Sequence, residues 1–208
     1  MKKIVVLVSG GGTNLQALID AQQRGEIPNG EITCVISSKE GAFALERAAK
    51  AGISTRVIAR KAYASSAAYT DALLAALQEE QADLIVLAGF MTILDEKIIR
   101  CYENRIVNVH PSLIPAFCGE GFYGLRVHEY ALARGVKVSG ATVHFVNEEA
   151  DGGPIIMQQP VMVQRGDTPE ILQRRIMEQA EWKILPKVVQ LFCDDLIEVM
   201  DGKAYILE

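Results

Sequence analysis

The chain has 208 residues, half of them hydrophobic, and a formal net charge of -5. This length fits one large domain with a substantial core, and the acidic balance argues against a general nucleic-acid binder. The four cysteines form no CxxC pair, which argues against a disulfide scaffold or a zinc site. The first apolar run stops after Val8, too short for a secretory signal, and no run is long enough for a membrane span. We therefore expect a soluble cytoplasmic protein without a metal site.

The first half of the chain alternates short apolar runs with helical patterns. Five runs rich in β-branched residues predict strands: "KIVVLVS", "EITCVISS", "STRVIA", "ADLIVLAGF" and "RIVNVH". Helical patterns at residues 14–24, 42–51 and 66–80 separate the first four runs. This alternation predicts a parallel sheet with helices on both faces.

The pattern changes in the second half. The runs "KVSGATVHFVNEE" and "PIIMQQPVMV" are separated only by "ADGG", which predicts an antiparallel strand pair. A final helix is predicted at residues 169–192, where Thr168 can cap the helix and Pro169 suits its first position. The whole chain, residues 1–208, is therefore predicted to be a single α/β domain, with a parallel nucleotide-binding first half and a mixed second half.

Three glycines follow the first strand in "VSGGGTNLQALI". Glycines at this place let backbone N–H groups converge on an anion at the N-terminus of the next helix. The motif is neither GxGxxG nor GxxxxGK[ST], which argues against dinucleotide and triphosphate sites. It favours a single phosphate, held by backbone amides with the help of Thr13 and Asn14. A tight turn that only needs positive φ is the alternative.

Asn108 and His110 stand out in the fifth strand, "RIVNVH", because apolar residues would pack better there. Side chains alternate along a strand, so both lie on one face, about 6.6 Å apart. Pro111 ends the strand, and α/β sheets bind ligands at the carboxyl ends of their strands. An amide donor beside a group that shuttles protons suits an oxyanion forming on a carbonyl. The alternative is a pair of core side chains satisfied by backbone groups.

Asp151, in the loop "NEEADGGPI", is a candidate third member of this group. A carboxylate near His110 would orient the imidazole ring and favour its protonated form. The alternative is an ordinary Asp-Gly turn between two strands. The sequence does not show whether Asp151 meets His110.

Four segments carry a family resemblance: "VLVSGGGTNL", "VLAGFMTIL", "NVHPSLIP" and "GATVHFVNEEADGGPI". In this order and spacing they resemble the folate-dependent glycinamide ribonucleotide transformylases of purine biosynthesis, over residues 3 to 190. Asn-x-His-Pro-Ser together with Asp-Gly-Gly is specific to formyl-folate enzymes, and the glycine turn points to the ribonucleotide branch. The resemblance implies a Rossmann-like formyltransferase fold. Residues 1–100 would form the ribonucleotide half and residues 101–208 the catalytic and formyl-folate half.

The resemblance also implies the reaction. The amine of glycinamide ribonucleotide would attack the formyl carbon of the co-substrate 10-formyltetrahydrofolate directly, without a metal. Asn108 would donate to the oxygen of the tetrahedral intermediate. His110, in its protonated form, would aid the oxyanion and proton transfer, while Asp151 would hold His110 and an ordered water.

Binding residues are implied in the same way. The ribonucleotide phosphate would contact Gly12, Thr13 and Asn14, and Glu181 would make an acidic contact to the ribonucleotide. The residues implied for formyl-folate binding are Met91, Thr92, Ile93, Leu94 and Asn108. The partners would be these small molecules, with no nucleic acid and no membrane, and both a monomer and a homodimer stay open.

The sequence departs from the family pattern at several positions. Thr92 stands where Arg is common, and Ser66 where another basic residue is common, which would leave the acidic tail of the folate less well neutralised. Arg60 and Lys61 are candidates to supply the missing charge. Ala150 replaces a larger apolar residue before the Asp, which would loosen that loop.

The sequence leaves the conformation of one long loop and the roles of two histidines open. The loop at residues 116–128 is longer than in some relatives, so its conformation is open. For His128, near the end of that loop, a helix-surface or supporting position is preferred over a catalytic one. For His144, a supporting role near Asp151 and a purely structural role are both open.

Three other functions share part of this pattern. A 10-formyltetrahydrofolate hydrolase shares the Asn-His-Asp set, but such enzymes usually carry an N-terminal regulatory domain. A tRNA formyltransferase carries a basic C-terminal domain, whereas this chain ends in "LIEVMDGKAYILE". A non-catalytic nucleotide-binding module would have no use for Asn108, His110 and Asp151 together.

Overall fold

The computed structural model describes residues 1–207, which divide into two compact units with the boundary between Val107 and Asn108. No helix within residues 1–207 is long and apolar enough to cross a membrane. The boundary falls inside strand β5 (Ile106–His110), the strand that carries the predicted Asn and His.

The first unit is built on four parallel strands in the spatial order β3-β2-β1-β4. These strands are β1 (Lys2–Val8), β2 (Gly30–Ser37), β3 (Ser54–Val57) and β4 (Leu84–Leu87). The helices are α1 (Thr13–Gln23), α2 (Phe43–Lys50), α3 (Ser66–Glu79) and α4 (Glu96–Cys101), with a short 3-10 helix at Arg60–Ala62. The predicted parallel half is confirmed.

The apolar run of β1 explains its central place in the first unit. Residues 4–8 of this strand are fully buried, as expected for a strand covered on both faces.

The N-termini of two helices in this unit are capped by side chains that lie just before them in the sequence. Ser65 accepts a hydrogen bond from the N–H of Ala68 at the start of α3, and Asp95 accepts one from Lys97 at the start of α4.

The second unit contains the predicted antiparallel pair. Its elements are α5 (Leu125–Arg134), β6 (Val138–Phe145), β7 (Ile155–Met162), α6 (Pro169–Ile176), a π-helical turn (Met177–Glu181), α7 (Trp182–Cys193), β8 (Ile197–Met200) and β9 (Lys203–Ile206). Strand β6 pairs antiparallel with β7. The α/β class with a mixed second half is therefore confirmed.

Two features of the second unit differ from the prediction. The last helix begins as expected, with Thr168 accepting from the N–H of Ile171, but a π-helical turn at Met177–Glu181 interrupts it. Such turns often lie at functional sites. The chain also ends in a β8–β9 hairpin that was not predicted, although its turn residues Asp201 and Gly202 are the standard signal for one.

Candidate active site

The glycine turn lies between β1 and α1, and helix α2 holds it from one side. The N–H of Ala44 donates to the carbonyl oxygen of Gly10 at 3.1 Å, and Nε of Arg47 donates to that of Gly11 at 2.8 Å. Gly12 has φ 71°, and a Cβ at this position would lie 2.6 Å from the Cβ of Ala44. Only glycine fits there, because both the backbone angle and the space exclude a side chain.

These two hydrogen bonds fix the direction of the turn's amide groups. In a trans peptide the C=O of one residue and the N–H of the next point in opposite directions. Because α2 holds the carbonyls of Gly10 and Gly11, the N–H groups of Gly11 and Gly12 point away from α2. Successive N–H groups presented in this way, next to Thr13 at the start of α1, have the arrangement that suits an anion.

The segment after β4 is tied to the same turn through Ser9. The N–H of Met91 donates to Oγ of Ser9 at 2.8 Å, and the hydroxyls of Ser9 and Ser38 are 2.6 Å apart. Of the four residues predicted to bind formyl-folate in this segment, Leu94 is buried, whereas Met91 and Ile93 are exposed. Thr92 is half-buried.

A cation lies beside Ser66, the position where the sequence lacks a basic residue. Nη2 of Arg60 donates to Oγ of Ser66 at 2.9 Å, and Nη1 donates to the carbonyl oxygen of Tyr63 at 3.2 Å. Of the two candidates for the missing charge, Arg60 contacts Ser66, and Lys61 is exposed. The guanidinium of Arg60 therefore brings a positive charge to the Ser66 position.

The second unit brings Asn108, His110 and Asp151 together, as the family resemblance implied. Oδ2 of Asp151 lies 3.5 Å from Nδ1 of His110, and Oδ1 lies 3.5 Å from Nδ2 of Asn108. The N–H of Gly119 donates to Oδ2 at 2.9 Å. A Cβ at Gly153 would overlap the carbonyl oxygen of Phe145, so the turn after Asp151 requires glycine.

His110 has oxygen atoms at both ring nitrogens. Its side chain is buried, and Nε2 donates to the carbonyl oxygen of Phe117 at 2.8 Å while Nδ1 faces Asp151. Burial lowers the pKa of His110 below its ordinary value and outweighs the opposing effect of Asp151. Asp151 favours the protonated ring, as expected, but burial disfavours the protonated His110 that the family resemblance implied.

Asp151 is held as a carboxylate. Burial opposes its ionisation, but the neighbouring rings of His144 and His110 and the N–H of Gly119 together lower the pKa of Asp151. The same carboxylate, with Glu149, adds to burial in raising the pKa of the Cys118 thiol in the adjacent loop. The cluster therefore has one fixed negative charge, at Asp151.

His144 belongs to this cluster and lies beside Asp151. Its ring is buried, with Nδ1 2.8 Å from the carbonyl oxygen of Phe145. Nε2 lies 3.2 Å from Nδ2 of Asn108 and 3.6 Å from Oδ1 of Asp151.

His128 is not on the helix surface, so that part of the prediction is wrong. It lies on the buried face of α5 with Val127 and Ala131, and 0% of its surface is exposed. Neither ring nitrogen has a hydrogen-bond partner among residues 1–207. Burial, helped by His110, lowers the pKa of His128 to about 4. The ring is therefore neutral at physiological pH and contributes packing.

Glu181 lies at the end of the π-helical turn and is buried, with 6% of its surface exposed. A charged residue is rarely buried to this extent unless it is paired. Within residues 1–207 no group of three or more His, Cys, Asp or Glu side chains could hold a metal ion.

Both the sequence and the fold of this chain are similar to those of known proteins. The model of the family described as Formyl transferase matches residues 2–189. The chain belongs to this formyl transferase family. Phosphoribosylglycinamide formyltransferase of Haemophilus influenzae is 43% identical over 206 residues, covering 99% of this chain and 94% of that protein.

Two solved structures complete the comparison. Glycinamide ribonucleotide transformylase 1 from Symbiobacterium toebii has a TM-score of 0.94 and 43% identity, covering 100% of this chain and 95% of that one. A formyltetrahydrofolate deformylase from Pseudomonas syringae pv. tomato has a TM-score of 0.89 and 28% identity, and the chain spans 66% of its length. The family resemblance drawn from the sequence motifs is thus confirmed.

Proposed function

We propose that the chain is a phosphoribosylglycinamide formyltransferase of purine biosynthesis, acting in the cytoplasm. It transfers the formyl group of 10-formyltetrahydrofolate to the amine of N1-(5-phospho-D-ribosyl)glycinamide, giving the N2-formyl product and tetrahydrofolate. The observation that carries this proposal is the cluster of Asn108, His110 and Asp151 in a chain 43% identical to a protein of that name.

Binding is assigned to each unit separately. In the first unit, the N–H groups of the glycine turn, with Thr13 and Asn14, bind the phosphate. The segment Met91–Leu94 contacts the formyl-folate, and Arg60 supplies a cation for its acidic tail at the Ser66 position. In the second unit, Glu181 contacts the ribonucleotide.

The reaction begins when the amine attacks the formyl carbon. The carbonyl oxygen gains negative charge, and an N–H of Asn108 donates to it without any change in protonation. The attacking nitrogen then carries a proton that has to leave. His110 suits this step, because its lowered pKa keeps the ring neutral and able to accept a proton.

Asp151 supports the proton transfer. The proton reaches Nδ1 of His110 through a water held at Asp151, whose carboxylate stabilises the imidazolium that forms. The N10 nitrogen of the folate then takes up the proton as the carbon–nitrogen bond breaks. The amine has lost one proton and tetrahydrofolate has gained one, so the reaction balances.

The test is deformylation of 10-formyltetrahydrofolate, followed by absorbance, with and without the ribonucleotide. Turnover that requires the ribonucleotide supports the transferase. Equal turnover without the ribonucleotide would instead support the hydrolase. That is the activity named for the structurally similar deformylase.

A variant separates catalysis from binding. His110→Ala should abolish transfer while the ribonucleotide still binds with near wild-type affinity, measured by calorimetry. Transfer at a near wild-type rate in this variant would refute the mechanism. It would also favour the non-catalytic nucleotide-binding module over the enzyme.

A further inference from the structure

The ring of His144 is held in one tautomer by its own strand. Nδ1 lies 2.8 Å from the carbonyl oxygen of the next residue, Phe145, in a buried environment. A carbonyl oxygen can only accept a hydrogen bond, so Nδ1 carries the hydrogen. In the neutral ring Nε2 is therefore an acceptor.

The amide of Asn108 is oriented by the same ring. Its Nδ2 lies 3.2 Å from Nε2 of His144 and 3.5 Å from Oδ1 of Asp151. Both neighbours are acceptors, so the nitrogen of the amide, and not its oxygen, has to face them. A half-turn of the amide would place its oxygen against two acceptors and lose both contacts.

The backbone of β6 is adapted to this arrangement. The pairing of β6 with β7 is regular up to Val143 and shifts register at His144. An irregularity of this kind changes the direction of a side chain and is common next to active sites. It occurs at the residue whose ring contacts both Asn108 and Asp151.

We propose that His144 is a positioning residue for formyl transfer, which acts by holding one N–H of Asn108 so that the other is presented to the formyl oxygen. The inference rests on the role given to Asn108 in the proposed function. The second N–H has only the longer 3.5 Å contact to Asp151, so it is the one that can move to the developing oxyanion.

Two substitutions separate the contacts of the ring. His144→Asn places a short amide near Nδ1, which keeps a donor for the carbonyl of Phe145 but has no atom at the position of Nε2. His144→Gln reaches that position and can accept from Asn108. We expect H144N to lower kcat about tenfold, which is less than the loss expected when an oxyanion donor is removed altogether. We expect kcat of H144Q to stay within about threefold of wild type. KM for both substrates should not change.

Two further variants serve as controls for folding and packing. His144→Leu also lacks the acceptor and replaces H144N if that variant does not fold, as judged by circular dichroism and thermal unfolding. His128→Leu removes a buried imidazole that has no hydrogen-bond partner among residues 1–207, and it should keep wild-type kcat at pH 7. A loss of kcat common to H144N and H128L would show a general packing effect and overturn the proposal.

A double-mutant cycle gives the decisive measurement. In an Asn108→Ala background, H144N should lower kcat no further, because the group that His144 positions is already gone. An equal fold-loss in both backgrounds would overturn the inference but leave the proposed function intact. Wild-type kcat in H144N would do the same. Wild-type kcat in N108A alone would refute the role of Asn108, and the inference would fall with it.

Discussion

His128 should make the stability of the protein depend on pH. Its ring is fully buried in α5, and burial lowers its pKa to about 4, against the ordinary value of 6.5 that applies to the unfolded chain. The unfolded state therefore binds a proton more tightly than the folded state. The contribution of the neutral His128 ring to stability is fully present above pH 6.5 and is lost as the pH falls from 6.5 towards 4.

The size of the effect follows from the two pKa values. Each pH unit between them is worth about 1.36 kcal/mol, so the full loss below pH 4 is about 3 kcal/mol, and at pH 4.5 it is about 2.5 kcal/mol. His128→Leu removes this titration. At pH 7 the variant should be as stable as wild type or more so, because the ring nitrogens have no partners among residues 1–207.

Equilibrium urea unfolding of both proteins from pH 7.5 to pH 4.5 measures this contribution. The protein has one tryptophan, Trp182 in α7, whose fluorescence reports unfolding. Wild type should lose about 2.5 kcal/mol more than H128L over this range. Titration of His110, whose pKa is also lowered, remains in both proteins, so most of its contribution drops out of the difference. Parallel losses in the two proteins would refute the reasoning.

Three further predictions concern the site. Gly12→Ala should raise KM for the ribonucleotide at least about tenfold and destabilise the fold by about 1–2 kcal/mol or more, because φ is 71°; unchanged kinetics and unfolding would contradict this. Arg47→Gln keeps a donor at the position of Nε, whereas Arg47→Met does not, so only the Met variant should raise KM for the phosphorylated acceptor, by about fivefold. An equal KM increase in both variants would point to charge instead. Asp151→Asn should lower kcat about 100-fold or more, measured in the absorbance assay, and a near wild-type rate would remove it from the mechanism.

Local sequence was sufficient for most of the fold. The β-branched runs predicted β1 to β5 because burial on both faces of a parallel sheet requires continuous apolar residues. The Thr168 cap is likewise local, because its hydroxyl accepts from the N–H of Ile171 three residues on. The β8–β9 hairpin has a local Asp-Gly turn signal at Asp201 and Gly202, but its strands are short and mostly exposed, so they lack a continuous apolar run.

Local sequence predicted only part of the site. The two-residue period of a strand was enough to place Asn108 and His110 on one face of β5. The contact of Asn108 with Asp151 spans 43 residues of chain, and its contact with His144 spans 36. No local pattern reports such distances, so only the tertiary structure shows these contacts.

Burial is the second quantity that the tertiary structure alone decided. The carboxylate of Asp151 suggested a protonated His110, but desolvation of the buried ring outweighs that charge and lowers the pKa. The same effect makes His128 a neutral core residue, although the sequence favoured a helix-surface or supporting position. The sequence by itself determined which groups are present and which strand faces they occupy. Their depth below the surface, and hence their charge, depends on everything packed around them.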